Sequence, residues 1–322
     1  MLITAIVGTY NRCRSLQDTL TALKGQRLAE GNELEIVVMD NNSTDQTPGV
    51  VQAVSGQPGW PVRYVREDRQ GISFARNRGI AEAQGAFIVS TDDDTLPAEN
   101  WVQELVGGLQ AHQGDCGGGK VLPLWLSEPP EWMYEVRLRE AVWNTLGMLD
   151  RGNRPLVASP AHWNFPYGAN IGFRKDLFRE IGLFRTDLGA VGRGLARGED
   201  TEFFGRAGRA GKRVLYVPSA IVHHKVENNR MTLQYFRRWK FNSGRSVEHL
   251  SPTPQTRMPA WLIRECLGSG GRAMGRYLGR DRIGAIEQEL IFWSALGRCM
   301  GILDHRGSKG PGGDAVINGR RG

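Results

Sequence analysis

The chain has 322 residues, of which 40% are hydrophobic and 23% charged. This composition excludes wholesale disorder and fits one large α/β domain with an appendage, or about two domains of roughly 150 residues. The net charge of +7 is uneven: residues 1–224 hold 24 Lys and Arg against 26 Asp and Glu (−2), and residues 225–322 hold 17 against 8 (+9). All surplus positive charge thus sits in the last third, which implies a separate task there.

In chain order, Leu2 to Gly8 is a short, apolar, β-branched run that predicts a buried strand. No positive segment precedes it, so it is not read as a signal peptide. Ser15 is the expected N-cap of a helix over 16–26, with Leu16, Leu20 and Leu23 on one face. Glu35 to Met39 predicts a second strand with Asp40 at its C-terminal end, and a helix restarts at 44–47 with Ser43 or Asp45 as its cap. A strand is expected over 62–65, a helix over 73–84, a strand over 86–90 and a helix over 98–111. Asp92-Asp93-Asp94 follows the fourth strand at once.

Strands alternating with helices at this spacing predict parallel βαβ units with right-handed crossovers. Ligands of such sheets bind beyond the carboxyl ends of the strands. Asp40 and the aspartate triplet both fall at that edge, so they are expected to be neighbours although 52 residues separate Asp40 from Asp92.

The stretch 115–200 is less regular. It contains Gly117–Gly119 and four of the nine tryptophans: Trp125, Trp132, Trp143 and Trp163. A loop with Gly189, Gly192, Gly194 and Gly198 leads into Glu199-Asp200, then a helix over 200–210 and a strand over 214–217. The glycine loop is expected to close over a ligand. Residues 230–303 predict two or three helices, and 305–322 read as a disordered tail.

Cys13, Cys116, Cys266 and Cys299 form no CxxC pair, so free thiols in a reducing compartment are expected. No stretch reaches the ~18 apolar residues of a spanning helix. The expected location is cytoplasmic, and the sequon Asn42-Ser43-Thr44 is expected to stay unglycosylated.

Three adjacent carboxylates repel one another unless a cation neutralises them, and hard divalent cations take carboxylate and phosphate oxygens together. The alternative is a solvated acidic turn with Asp94 or Thr95 capping the next helix. Asp40 can accept from a base or ribose, or simply hold a turn. The segment from Asp40 lacks the glycine and glutamate of a calcium loop. Arg76 and Arg78 suit phosphate, or are surface helix charges. Glu199-Asp200 offers a general base or a helix cap. Of His223 and His224, only one can face a site, because adjacent strand residues point to opposite faces. No dinucleotide fingerprint, Walker A motif or GxSxG elbow is present, which removes those enzyme classes.

Six segments in this order resemble the inverting glycosyltransferases of the GT-A fold in family 2: Val7-Gly8-Thr9-Tyr10-Asn11-Arg12 (with Gly8 where that family usually has proline), Val38 to Asp45, Gly71 to Gly79, Asp92–Asp94 as a DxD motif, Tyr167-Gly168-Ala169-Asn170 with Phe173-Arg174, and Glu199-Asp200, followed by His224. The resemblance covers about residues 2–245. It implies an α/β GT-A fold with a mainly parallel central sheet and a catalytic domain over 1–228; charge and helical periodicity then set off a basic amphipathic helical region over 229–304 and the tail over 305–322. It also implies a nucleotide-sugar donor, a UDP-sugar by default, and Mn²⁺ or Mg²⁺. Thr9, Tyr10, Arg12, Asp40, Arg76, Asp92 and Asp93 would serve the nucleotide, and Asp94 and His224 the metal. Asp200 would be the catalytic base with Glu199 as the second candidate, and Asn170 and Trp163 would lie on the acceptor side. The acceptor would be a glycan or a lipid-linked sugar in surface polysaccharide or glycolipid synthesis. Without spanning helices or a QxxRW motif, a single transfer is expected rather than processive polymerisation.

In the C-terminal third, Arg237, Arg238, Lys240 and Arg245 lie beside aromatic residues, and Met258, Trp261, Leu262 and Cys266 recur at helical spacing. Ile283, Ile286, Leu290, Ile291, Trp293 and Met300 form a second apolar set. Such basic amphipathic helices suit the surface of an anionic membrane, with packing on the catalytic domain or a dimer seam as alternatives. Nucleic acid is not the expected partner, because the basic residues share their helices with large apolar faces. Two other functional readings stay open: a sugar nucleotidyltransferase, and a non-catalytic nucleotide- or carbohydrate-binding scaffold.

Overall fold

The computed structural model describes residues 1–158, 166–192, 198–250, 255 and 257–307. The chain divides into two units, Met1–Tyr235 and Phe236–Gly322.

The first unit begins with four strands: β1 (Leu2–Thr9), β2 (Glu33–Asp40), β3 (Val62–Arg66) and β4 (Phe87–Asp92). They pair in parallel in the order β3-β2-β1-β4. Between them run α1 (Cys13–Lys24), α2 (Thr47–Ser55) and α3 (Ile72–Glu82). Ile3, Ala5, Val7, Ile36, Val38 and Val89 pack against Leu16, Leu20, Leu23 and Val51 on one face. Ile6, Val37, Met39 and Ile88 pack against Ala75 and Ile80 on the other. A sheet covered on both faces explains why these strands read as continuous apolar runs.

Helix α1 starts at Cys13, three residues before the expected start, and Ser15 is not its cap: its buried Oγ has no partner. The Cys13 N–H instead donates to Asp45 Oδ2 at 3.0 Å, and the Thr47 N–H donates to Asp45 Oδ1 at 3.0 Å. One carboxylate thus serves two helix starts that are distant in sequence. Burial opposes its ionisation, yet the bonds from Thr47 and Cys13 hold Asp45 below its ordinary value.

The chain continues through β5 (Thr95–Pro97), α4 (Trp101–Ala111), β6 (Cys116–Trp125), α5 (Arg139–Leu146), β7 (Leu156–Val157), β8 (Ile171–Arg174), α6 (Leu177–Ile181), α7 (Glu199–Arg209) and β9 (Val214–Val226). All nine strands join one mixed sheet, ordered β3-β2-β1-β4-β8-β6-β9-β5, with β7 on β9. The parallel run ends at β4: β8 is antiparallel to β4 and β6, and β6 is parallel to β9. Thr95 and Pro97 pair with β9, so neither Asp94 nor Thr95 caps the next helix, which starts only at Trp101. The strand expected over 214–217 runs on to Val226 and carries both histidines.

The glycine run, expected in irregular chain, lies in β6. A Cβ on Gly117, Gly118 or Gly119 would sit 2.3, 2.2 or 1.9 Å from the carbonyl oxygens of Leu215, Asn170 and Ala220. Glycine is needed here because backbone meets backbone.

Asp115 precedes β6 and accepts from the Arg213 N–H at 2.8 Å and from Arg174 at 2.6 Å. Burial acts to raise its pKa, but these bonds lower it overall. A folded-state pKa below the unfolded one gives stability that is present above the unfolded value and is lost as pH falls through the folded one. Asp115→Asn is therefore expected to lower the urea midpoint at neutral pH. The gap to the native protein should close on acidification below about pH 4. Midpoints of the two proteins compared at several pH values check this.

The second unit contains α8 from Phe236 onward (the helix spans Leu233–Leu250), α9 (Ala260–Leu278) and α10 (Arg282–Gly307). Leu262 packs with Ala295 and Ile302, flanked by Met258, Cys266 and Cys299. A Cβ on Gly297 would lie 2.0 Å from the Phe241 carbonyl oxygen, so α8 and α10 touch through their backbones. Arg237 pairs with Glu289 and Arg245 with Asp304. Among the described residues no helix is long and apolar enough to cross a membrane. The disordered tail expected from residue 305 does not begin there, because α10 runs on to Gly307; the rest of that stretch, 308–322, lies outside the described residues.

Candidate active site

The carboxyl ends of β2, β1 and β4 lie side by side. Thr9 is in register with Asp40, and Gly8 with Asp92, so the two acidic segments flank the end of β1. The loops beyond are pinned to each other: Asn11 Oδ1 accepts from the Thr44 N–H at 2.8 Å, and the Asn11 N–H donates to Ser43 Oγ at 3.0 Å. Asn11 and Asn42 adopt φ of 53° and 66°, a left-handed conformation that asparagine tolerates better than most side chains.

Asp40 is fully buried. Its Oδ1 accepts from the Ser43 N–H at 2.8 Å and its Oδ2 from the Tyr64 hydroxyl at 2.6 Å. Burial and this carboxylate push the Tyr64 hydroxyl up to about 12. Asp40 therefore holds the turn after β2, the alternative reading of this residue, and its side chain is buried rather than presented at the surface. Tyr10, half-buried, follows β1 directly.

The triplet divides into three roles. Asp92 ends β4 with its side chain 35% exposed, and Arg76 Nη2 lies 3.6 Å from it. Asp93 is buried and turns inward: it accepts from Thr9 Oγ1 at 2.7 Å and lies 3.4 Å from Arg12 Nη1. Burial pushes its carboxyl up to about 7 despite Arg12. Asp93 thus holds the loops together rather than facing a ligand. Asp94 meets His224 Nε2 at 3.3 Å, Arg230 Nη2 at 3.0 Å and, in a short contact, Arg12. Burial opposes ionisation of Asp94, yet His224, Arg230 and Arg12 hold it well below the usual carboxylate range. Pairing of β5 with β9 aligns Thr95 with His224 and brings that histidine to the triplet.

Arg230 had no signal in the sequence. It follows β9 in a short 3₁₀ turn and reaches both Asp94 and, at 3.1 Å, His224 Nε2. Its 136-residue separation from Asp94 hides the contact from any local pattern.

Among the described residues, no three His, Cys, Asp or Glu side chains converge as a metal cage. Asp94 and His224 form a pair. A hard cation such as Mn²⁺ or Mg²⁺ takes one or two protein donors and completes its shell with phosphate oxygens and water. His224 Nδ1 is buried without a partner. This donor set fits a cation that arrives with a diphosphate, with Arg12 and Arg230 neutralising Asp94 otherwise.

Arg76 is not a surface charge. It is buried, its Nη1 meets Glu199 Oε1 at 2.8 Å, and its guanidinium lies 5.6 Å over the Phe184 ring. Its Nη2 lies 2.1 Å from where a Cβ on Gly168 would stand, so a side chain there would have to displace the guanidinium. The arginine thus ties the end of β4 to the start of α7 from inside the protein. Arg78, in contrast, is exposed and pairs with Glu82. Glu199 is buried against Arg76, whereas Asp200 is half-exposed. Asp200 accepts from the Gly168 N–H at 3.1 Å and the Thr201 N–H at 2.7 Å, which leaves lone pairs free on a carboxylate aimed by the backbone.

Asn170 is not on an acceptor surface. It is fully buried, donates to the Lys120 and Ala220 carbonyls at 2.8 and 2.9 Å, and accepts from the Trp101 indole at 2.8 Å. Its amide stitches β8 to β6 and β9. Trp163 lies outside the described residues, as does Gly194, so the expected closing loop is described only in part. Trp132 is a core residue.

A carboxylate–imidazole pair beside arginines lies at the carboxyl edge of the α/β sheet, with the half-exposed Asp200 across the buried Arg76. Residues 4–182, more than half of the chain, match the family described as Glycosyl transferase family 2. The chain belongs to that family and is a glycosyltransferase. It is 28% identical over 269 residues to the glucosyl-dolichyl phosphate glucuronosyltransferase of Haloferax volcanii, covering 81% of this chain and 82% of that protein. It is 27% identical over 243 residues to the succinoglycan biosynthesis protein ExoM of Rhizobium meliloti, covering 74% and 72%. The fold is similar to that of a mannosyltransferase from Pyrobaculum calidifontis solved with GDP-Man and Mn²⁺, with a TM-score of 0.60 at 20% identity over 92% of this chain and 86% of that one. The architecture is the GT-A fold.

Proposed function

We propose that the protein is a metal-dependent, inverting glycosyltransferase that moves a sugar from a nucleotide-diphosphate donor to an acceptor hydroxyl. The observation that carries this reading is the split within Glu199-Asp200: Arg76 occupies the glutamate, and the backbone presents the aspartate. Asp200 takes the proton of the acceptor hydroxyl as its oxygen attacks the anomeric carbon. The new carbon–oxygen bond forms as the bond to the diphosphate breaks, and that bond's electron pair leaves with the diphosphate. One displacement inverts the carbon without a covalent enzyme intermediate. Asp94 and His224 would hold Mn²⁺ or Mg²⁺, which supplies positive charge at the leaving diphosphate. Arg12 and Arg230, freed from Asp94, would face the same phosphates.

A UDP-sugar is the default donor, and the Pyrobaculum neighbour's GDP-Man makes a guanine nucleotide the first competitor. The Haloferax relative's name specifies a dolichyl-phosphate-linked sugar, which supports a lipid-linked acceptor here and a location at the inner face of a membrane. Synthesis of a surface polysaccharide or glycolipid is the matching pathway class.

Thermal stability with Mn²⁺ and each of UDP, GDP, dTDP and CMP tests the reading. One diphosphate at ~100 Kd should add about 2.7 kcal/mol, and Asp94→Ala should lose that gain. No shift with any nucleotide would overturn the nucleotide-diphosphate donor. A shift that survives both EDTA and Asp94→Ala would remove the metal assignment.

A further inference from the structure

We propose that the outer face of α9 is a docking surface for an anionic lipid membrane. The apolar residues expected to make such a face make it only in part: Trp261 is 49% exposed beneath Arg298, but Leu262 is buried, and Met258 and Cys266 pack with it against α10. The continuous exposed stripe is formed by other residues. Ile263, Leu267, Met274 and Leu278 are 44, 74, 65 and 81% exposed. They follow one another at helical spacing, with Gly271 between, and face away from Leu262, Ser269 and Ala273. The stripe is about 22 Å long at 1.5 Å per residue.

Its charge setting selects the occupant. Exposed Arg257 and Arg264 lie at one end of α9, and exposed Arg280 and Arg282 at the other. None of the four has an acidic partner among the described residues, whereas Arg272 pairs with Glu265 and Arg276 with Asp281. Glu265 is the only acid on α9 and lies off the stripe. A second copy of the chain would bring the same arginines against these, like charge to like. Nucleic acid would satisfy the arginines and leave four large apolar side chains in water. A surface of anionic headgroups over acyl chains satisfies both, with the helix lying in the interface plane.

Flotation of the full chain with vesicles tests this. Phosphatidylcholine vesicles with about one-third phosphatidylglycerol should carry the protein up, and pure phosphatidylcholine vesicles should not. Arg264→Gln and Arg280→Gln should each weaken partitioning about fivefold. Leu267→Glu, Met274→Glu and Leu278→Glu combined should abolish it, with far-ultraviolet circular dichroism and solution mass unchanged. The proposal fails if the native chain does not float, or if the triple variant floats as well as the native chain. It also fails if the native chain is a lipid-free dimer that the triple variant makes monomeric, because the stripe is then a contact between copies. The outcome is independent of nucleotide binding, so it stands or falls apart from the transferase reading.

Discussion

Asp200→Asn is expected to lower kcat by about 10²–10⁴-fold, the usual contribution of a general base. Nucleotide binding should stay intact. The amide keeps one oxygen for the Gly168 or Thr201 N–H, so one of two partly exposed backbone bonds is lost. The stability cost should be about 1 kcal/mol. Glu199→Gln should act in the other direction: it leaves Arg76 buried beside an uncharged partner, so the loss appears mainly in stability. Turnover with the donor found by thermal shift, measured beside the urea midpoint for both variants, separates the two roles. If Glu199→Gln stops turnover at an unchanged midpoint while Asp200→Asn keeps its rate, the base is Glu199.

Arg76→Met should cost about 3–5 kcal/mol, because it leaves Glu199 buried without its cation. It also removes the link to Asp92 at 3.6 Å. Arg76→Lys should restore little: an ammonium is a single point charge and cannot reach both carboxylates as a planar fork does. Removing both charges, as Arg76→Met with Glu199→Leu, should recover part of the loss, since an apolar pair leaves no unpaired buried charge. Urea midpoints of the single and double variants give the coupling. A native midpoint for Arg76→Met together with weaker nucleotide affinity would return this arginine to the nucleotide-binding role that the family resemblance implies.

The placement of this site is legible in the sequence. Asp40 and Asp92 both close apolar strands, and strand–helix alternation alone brings such ends to one edge. Alternation across a strand says that only one of His223 and His224 can face the triplet; the family resemblance points to His224, and the structure puts His224 beside Asp94. The identities of the partners were not legible. Asp40 reads equally well as a ligand or as a turn anchor until Tyr64 is seen beside it. Asn170 sits in a motif-like segment, yet its amide is used up by Lys120, Ala220 and Trp101. The signal that could have placed it is the nearby glycine run, which demands close backbone approach in that part of the sheet.

The sequence by itself determined the parallel half of the sheet, its acidic edge and the charge contrast between the two parts of the chain. Period, turn residues and charge are local quantities, and local quantities can be read without a fold. Only the tertiary structure decided that β8, β6 and β9 extend the sheet past β4, that Asp45 caps α1, that Arg230 stands on Asp94 and that Arg76 is buried on Glu199. The last two contacts join residues 136 and 123 positions apart. An arginine's sequence neighbours do not state whether its charge will meet water or a carboxylate from another element. That choice follows from packing, since a buried cation persists only where the fold brings it a partner.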